Sequence, residues 1–151
     1  MPSMDLEVAK KALETGIKFV ANCGLKVVEL RRGYVKCSVP FAGNGNHIGT
    51  MYAGALFTVA EIPGGALFLS SFDMTRYAPI VKEMNLRFLK PAKGDVTIEI
   101  GLSEEQIAAI SGEADAKGKA EFTLDGEIKT ADGTVVAISH GIYQIRSLQR
   151  L

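Results

Sequence analysis

The chain has 151 residues, 47% of them hydrophobic, and its 17 Lys and Arg balance 17 Asp and Glu. That length fits one domain, spanning 1–151, with a core large enough to hold without disulfides or metals, and the hydrophobic fraction excludes a disordered chain. A net charge of zero offers no basic face to nucleic acid or anionic lipid and leaves self-association unopposed.

At the N-terminus, Asp5 and Glu7 occupy a region without an apolar core, so no signal peptide is expected. Leu6, Ala9, Leu13, Ile17 and Val20 recur at three- and four-residue steps and predict one amphipathic helix over about 4–22, with Ser3 as its N-cap and Gly24 as its stop. Two strands follow at 25–31 and 34–41, joined by Arg32-Gly33 and closed by Pro40 and Gly43-Asn44-Gly45-Asn46. Residues from about 51 to 72 then form a helix that is apolar nearly all round. Its length approaches that of a membrane span. Glu61 in its middle, Pro63-Gly64-Gly65 and the lack of a cation before it point instead to the buried core helix of a soluble protein. Pro63 is expected to kink or break this helix just after Glu61.

Ile80, Met84, Leu86 and Phe88 alternate with Val81, Glu83, Asn85 and Arg87, which predicts a strand with one buried face, ended by Pro91. After Lys93-Gly94, a further strand carries Val96, Ile98 and Ile100. Ser103-Glu104-Glu105-Gln106 fits a capping box that opens a helix to about 115. Ala120, Phe122, Leu124 and Ile128 form another strand, Asp132-Gly133 a hairpin turn, and the alternation at Val135, Ala137 and Ser139 runs on to about 145. The order α-β-β-α-β-β-α-β-β is that of an α+β fold, most simply a curved antiparallel sheet around the middle helix.

Cys23 and Cys37 form no Cys-x-x-Cys pair, and with only His47 and His140 no zinc pattern can be assembled. No metal is expected, and two free thiols point to a reducing, cytoplasmic compartment. Glu61 is the most informative residue, because an ionised carboxylate inside an apolar helix is costly. It lies on a wet side of the helix, pairs with a cation such as Lys82, or serves as a general base or nucleophile with a raised pKa. Lys82 shares the strand parity of Met84, Leu86 and Phe88, so it is expected to face the helix and there to meet Glu61 or snorkel to the sheet edge. Before the helix, the loop from Asn44 to Gly54 runs into a helix start whose free N–H groups can bind an anion or polarise a carbonyl oxygen.

Asn46-x-x-Gly49-x-x-Tyr52-Ala53-Gly54-Ala55-Leu56-Phe57-x-x-Ala60-Glu61 resembles the signature of the PaaI-like hotdog-fold acyl-CoA thioesterases. There, an Asn-x-x-Gly-x-x-His-Gly-Gly loop enters the central helix and an acidic residue follows. Tyr52 stands at the histidine, Ala53 at the first glycine and Glu61 at the acid, which in the family is usually Asp. Residues 82–92 also look like the family's strand after the helix. The resemblance implies a hotdog fold and a homodimer or homotetramer with active sites at the dimer interface. Glu61 would activate water or attack the thioester carbon, the Ala53 N–H would polarise the thioester oxygen, and Asn46 would position the carbonyl or the water. Around them, His47, Gly49, Tyr52, Gly54, Phe57, Val81, Lys82 and Met84 are candidate substrate-binding residues. Val81 falls where some members supply a hydroxyl from the partner subunit. Arg87 and Lys90 are candidates for coenzyme A phosphates. The substrate would be an acyl-CoA or acyl-carrier thioester, with no further cofactor. Two alternatives remain: an acyl-binding protein that does not turn its ligand over, or an acyl dehydratase using His47 and Glu61, which are fourteen residues apart.

Overall fold

A computed structural model describes residues 5–150. Its elements are α1 (Leu6–Thr15), α2 (Lys18–Cys23), β1 (Lys26–Arg31), β2 (Tyr34–Val39), α3 (Ala53–Ser71), β3 (Tyr77–Phe88), β4 (Val96–Gly101), α4 (Glu104–Lys117), β5 (Lys119–Thr130) and β6 (Val135–Ser147). The strands form one antiparallel sheet in the order β1-β2-β4-β5-β6-β3. Alternate residues point to one face. On that face Val35, Cys37, Val39, Ile98, Ile128 and Ile145 are fully buried and pack with Val59, Ala66 and Leu67 of α3 in a single core. The strands and α1 all pack on α3, which is why this helix is apolar nearly all round.

The N-terminal helix is two helices rather than one. It breaks at Gly16–Ile17, where Ile17 is extended (φ −112°, ψ 117°). The break loses the helical phase, so Ile17 is 55% exposed while Val20 returns to the core. Asp5 caps α1 by accepting the Glu7 N–H, and Ser3 lies outside the described residues. Gly24 stops α2 in the left-handed region at φ 72°. α3 does not break at Pro63. That proline is fully buried, and burial of the surrounding helix offsets the roughly 3 kcal/mol that an interior proline costs. The capping box at Ser103 and Gln106 is present, and the Asp132-Gly133 turn joins β5 to β6.

β3 departs from the expected parity. Val81 pairs with Tyr143 and Glu83 with Ile142, which leaves Lys82 as the extra residue of a bulge. A bulge turns two successive residues to the same side. Lys82 and Glu83 therefore both face outward, Val81 turns inward with Met84, Leu86 and Phe88, and Ile80 turns outward. β3 is also an edge strand of the sheet.

Candidate functional site

Glu61 lies on the least buried stripe of α3. Along it Gly54, Phe57, Glu61 and Gly65 are only partly buried or exposed, at helical spacing, while Leu56, Val59, Ala60, Ile62 and Pro63 beside them are buried. The stripe opens beside Glu61 into a cleft of about 180 Å³. Gly64, Gly65 and Phe68 form its helical wall, Pro79, Ile80 and Val81 its wall on β3, and Phe122 and Tyr143 its floor. Burial pushes the Glu61 carboxyl above its ordinary range. Lys82 does not neutralise it. Carried outward by the bulge, the lysine pairs with Glu121 on the outer face, both about half exposed. Among the described residues the Glu61 carboxylate has no ion pair and no hydrogen bond, so its environment is apolar and one-sided.

Tyr143 completes this cleft, and neither periodicity nor spacing marks it. Its phenol donates to the Glu61 carbonyl oxygen at 3.3 Å. Its ring stacks on Phe122 (centroids 5.9 Å apart), which continues to Phe72 at 6.0 Å and Phe68 at 6.3 Å. The ring fits because two neighbours lack side chains. A Cβ on Gly64 would come within 2.1 Å of it, and one on Gly141 within 2.5 Å. Burial, and then the charge of Glu61, raise the phenol's pKa, so it remains a proton donor.

The second predicted group is built on the loop before α3. Asn46 shapes that loop: its side-chain oxygen accepts the Ile48 and Thr50 N–H groups at 3.0 and 3.1 Å, and its amide donates to the Thr50 hydroxyl at 2.8 Å. Gly49 supplies the left-handed residue of the turn at φ 82°. The Met51 N–H to Ala92 and the Tyr52 N–H to Asn44, both 2.8 Å, strap the loop to the body. Tyr52 begins α3 without a side-chain cap, and its ring lies over Gly54, where a Cβ would approach it to 2.3 Å. Among the described residues the N–H groups of Ala53 and Gly54 have no acceptor, as the first turn of a helix requires. Asn46, Ala53, Phe88, Leu89 and Lys90 line a cleft of about 290 Å³ at this point.

The two groups do not share a cleft within one chain. Eight residues of helix separate Ala53 from Glu61, about 12 Å along the axis at 1.5 Å per residue. Phe57, 44% exposed, lies between them. Val81 stands in the Glu61 cleft, and Met84 packs partly buried against the core. His47 is exposed on the loop and lines neither cleft, so no His47–Glu61 pair forms within the chain. Arg87 faces outward and belongs to a cavity of about 1030 Å³ on the outer face of the sheet around the His140–Asp125 contact of 2.6 Å. That cavity reaches neither Glu61 nor Ala53. Among the described residues no cluster of His, Cys, Asp and Glu can hold a metal.

A family model described as a domain of unknown function, DUF4442, matches residues 7–143. A Pseudomonas aeruginosa protein of unknown function, described as a probable thioesterase, is 52% identical, with TM-score 0.93 over 97% of this chain and 98% of its own. A thioesterase from Haemophilus influenzae shares 14% identity and superposes with TM-score 0.73 over 97% and 94% of the two chains. A protein of unknown function from Chlorobaculum tepidum shares 18% and superposes with TM-score 0.79 over 93% of each. No curated protein matches the chain. The helix wrapped by an antiparallel sheet is the hotdog fold of these thioesterases, and the chain belongs to the DUF4442 family.

Proposed function

We propose that this protein is a thioesterase that hydrolyses an acyl-CoA or acyl-carrier thioester in a homo-oligomer, with each site shared between two copies. The observation that carries the reading is Glu61: a carboxylate with raised pKa, unpaired, facing an apolar cleft. Such a carboxylate is made a stronger base than an exposed one by desolvation, which suits it to general-base work. It takes a proton from water as the water oxygen bonds to the thioester carbon, or it attacks that carbon itself. The Ala53 N–H, at the positive end of α3, stabilises the developing oxyanion. In the first course the thiolate leaves with the proton that Glu61 took up, as the thiol, and the free acid results. In the second its loss leaves a mixed anhydride on Glu61, which water then cleaves to the free acid and the Glu61 carboxylate while its proton goes to the thiolate.

The edge strand supports the sharing. An edge strand that exposes Ile80, Val81 and Phe88, with Leu89 exposed just beyond its end, is a template for pairing with a second chain. Antiparallel pairing of two β3 strands about a twofold axis sets the Phe88–Leu89 end of one copy against the Pro79–Val81 end of the other. The first end borders the Ala53 cleft and the second the Glu61 cleft, so the pairing closes the 12 Å gap left within one chain. The buried thiols of Cys23 and Cys37, the latter pushed up to about 12 by burial, suit the reducing cytoplasm. A panel of short, medium, long and aryl acyl-CoA thioesters, offered to the wild type and to Glu61→Gln, tests the reading. Turnover that collapses in the variant is expected, and a wild type inert toward every thioester would refute it.

A further inference from the structure

Asn46 shapes the loop before α3 from within: each partner of its side chain lies inside the loop. Asn44, two residues earlier, ties that loop to the rest of the molecule. Its side chain is half-buried, and its amide group donates to the Cys23 carbonyl at 2.7 Å and to the Pro40 carbonyl at 2.8 Å. Cys23 is the last residue of α2, and the final carbonyls of a helix have no partner within it. Pro40 follows the end of β2. Gly24, in the left-handed region, turns the chain out of α2 against this proline, and a Cβ there would stand 3.1 Å from the Pro40 ring. One nitrogen carrying two hydrogens thus meets two carbonyl acceptors. An aspartate of the same shape has no hydrogen to give either of them.

The main chain of Asn44 carries this hold to the start of α3. Its N–H donates to the Phe41 carbonyl at 2.9 Å, and its carbonyl accepts the Tyr52 N–H at 2.8 Å. Tyr52 immediately precedes Ala53, and its extended backbone (φ −61°, ψ 137°) sets the direction of the Ala53 N–H. Asn44 itself lines neither the Ala53 cleft nor the Glu61 cleft, so it has no contact with a ligand held in either. We propose that Asn44 is a positioning residue, through which α2 and the end of β2 hold the Ala53 N–H in place. Its part in turnover rests on the thioesterase reading above, whereas the clamp itself does not. An oxyanion donor works only within a few tenths of an ångström of its proper distance, and a misplacement of about 1 Å can cost on the order of 10²-fold in rate.

A double-mutant cycle tests the coupling. Asn44→Asp keeps the shape and removes both donated hydrogens, and Asn44→Ala removes them without adding charge. Each is expected to lower kcat by about tenfold or more while KM stays within about twofold, because the donor acts on the oxyanion rather than on the bound substrate. Asn22→Asp, which places the same charge on an exposed residue of α2, is expected to hydrolyse as the wild type does. In a chain that already carries Ala53→Pro, either change at Asn44 should lower kcat by less than about twofold, since the group it positions is gone. A general loss of stability would cost the same in both backgrounds. Amide hydrogen exchange reads the clamp without turnover: the Tyr52 N–H should exchange about tenfold faster in both Asn44 variants, with Val59 and Leu67 of α3 exchanging as in the wild type. An unchanged kcat, an undiminished loss in the Ala53→Pro background, or unchanged exchange at Tyr52 would each overturn the proposal. The expected exchange in a protein whose wild type is inert toward every thioester would sustain the clamp and refute only the hydrolytic reading.

Discussion

The burial that suits Glu61 to its proposed role carries a cost to stability. Its folded pKa is raised by burial, so the proton binds more tightly in the folded chain. The stability this carboxyl contributes is complete below the unfolded value, about 4.3 for a glutamate, and is lost as pH rises through the folded one. Glu61→Gln is therefore expected to melt above the wild type at neutral pH and to converge with it in acid, while turnover falls by about 10²-fold or more. Thermal melts at two pH values beside a hydrolysis assay check both halves, and a variant less stable at neutral pH would contradict the desolvated carboxylate. Gly64 is constrained from the opposite direction. A methyl there meets the Tyr143 ring at 2.1 Å, so Gly64→Ala should cost about 1–3 kcal/mol in denaturant unfolding. At Gly65 the nearest atom to an added Cβ is Leu13 at 4.0 Å, so the same change there should cost far less.

At the scale of elements, the proposed mechanism uses both the start and the middle of α3. Ala53 is its first helical residue, and Tyr52 before it is extended (φ −61°, ψ 137°), the conformation that a following proline prefers. Ala53→Pro therefore removes the N–H at a position where helices accept proline. It is expected to lower turnover by about 10²–10³-fold and to leave the melting temperature nearly unchanged. Unaltered turnover would remove the Ala53 N–H from the mechanism. The elements themselves were largely legible, because most strands carry their own alternation and α3 a long apolar run interrupted by few polar residues. The bulge was not. One extra residue at Lys82 leaves no mark in the pattern, yet it inverts every residue before it, so Lys82 pairs with Glu121 and Val81 reaches the Glu61 cleft. The pair is half exposed, and Lys82→Ala should cost at most about 1 kcal/mol. Tyr143 was illegible for another reason: its slot is made by Gly64 and Gly141, far apart in sequence and joined only by packing.

For the whole molecule, the decisive feature is that the proposed hydrogen-bond donor, the Ala53 N–H, and the proposed base, Glu61, stand in separate clefts of one chain. Charges placed on the exposed edge, as in Val81→Lys with Phe88→Lys, should give a folded monomer by sedimentation that has lost hydrolysis, since like charges would meet across the paired strands. The sharing itself is tested most directly by mixing two inactive chains, Ala53→Pro and Glu61→Gln. In a mixed dimer one site receives Glu61 from the first chain and the Ala53 N–H from the second, and the other site receives neither. Co-expressed chains, with the mixed species purified on two tags, should recover hydrolysis that each variant lacks alone. Mixed dimers as inactive as their parents would contradict a site built across two copies.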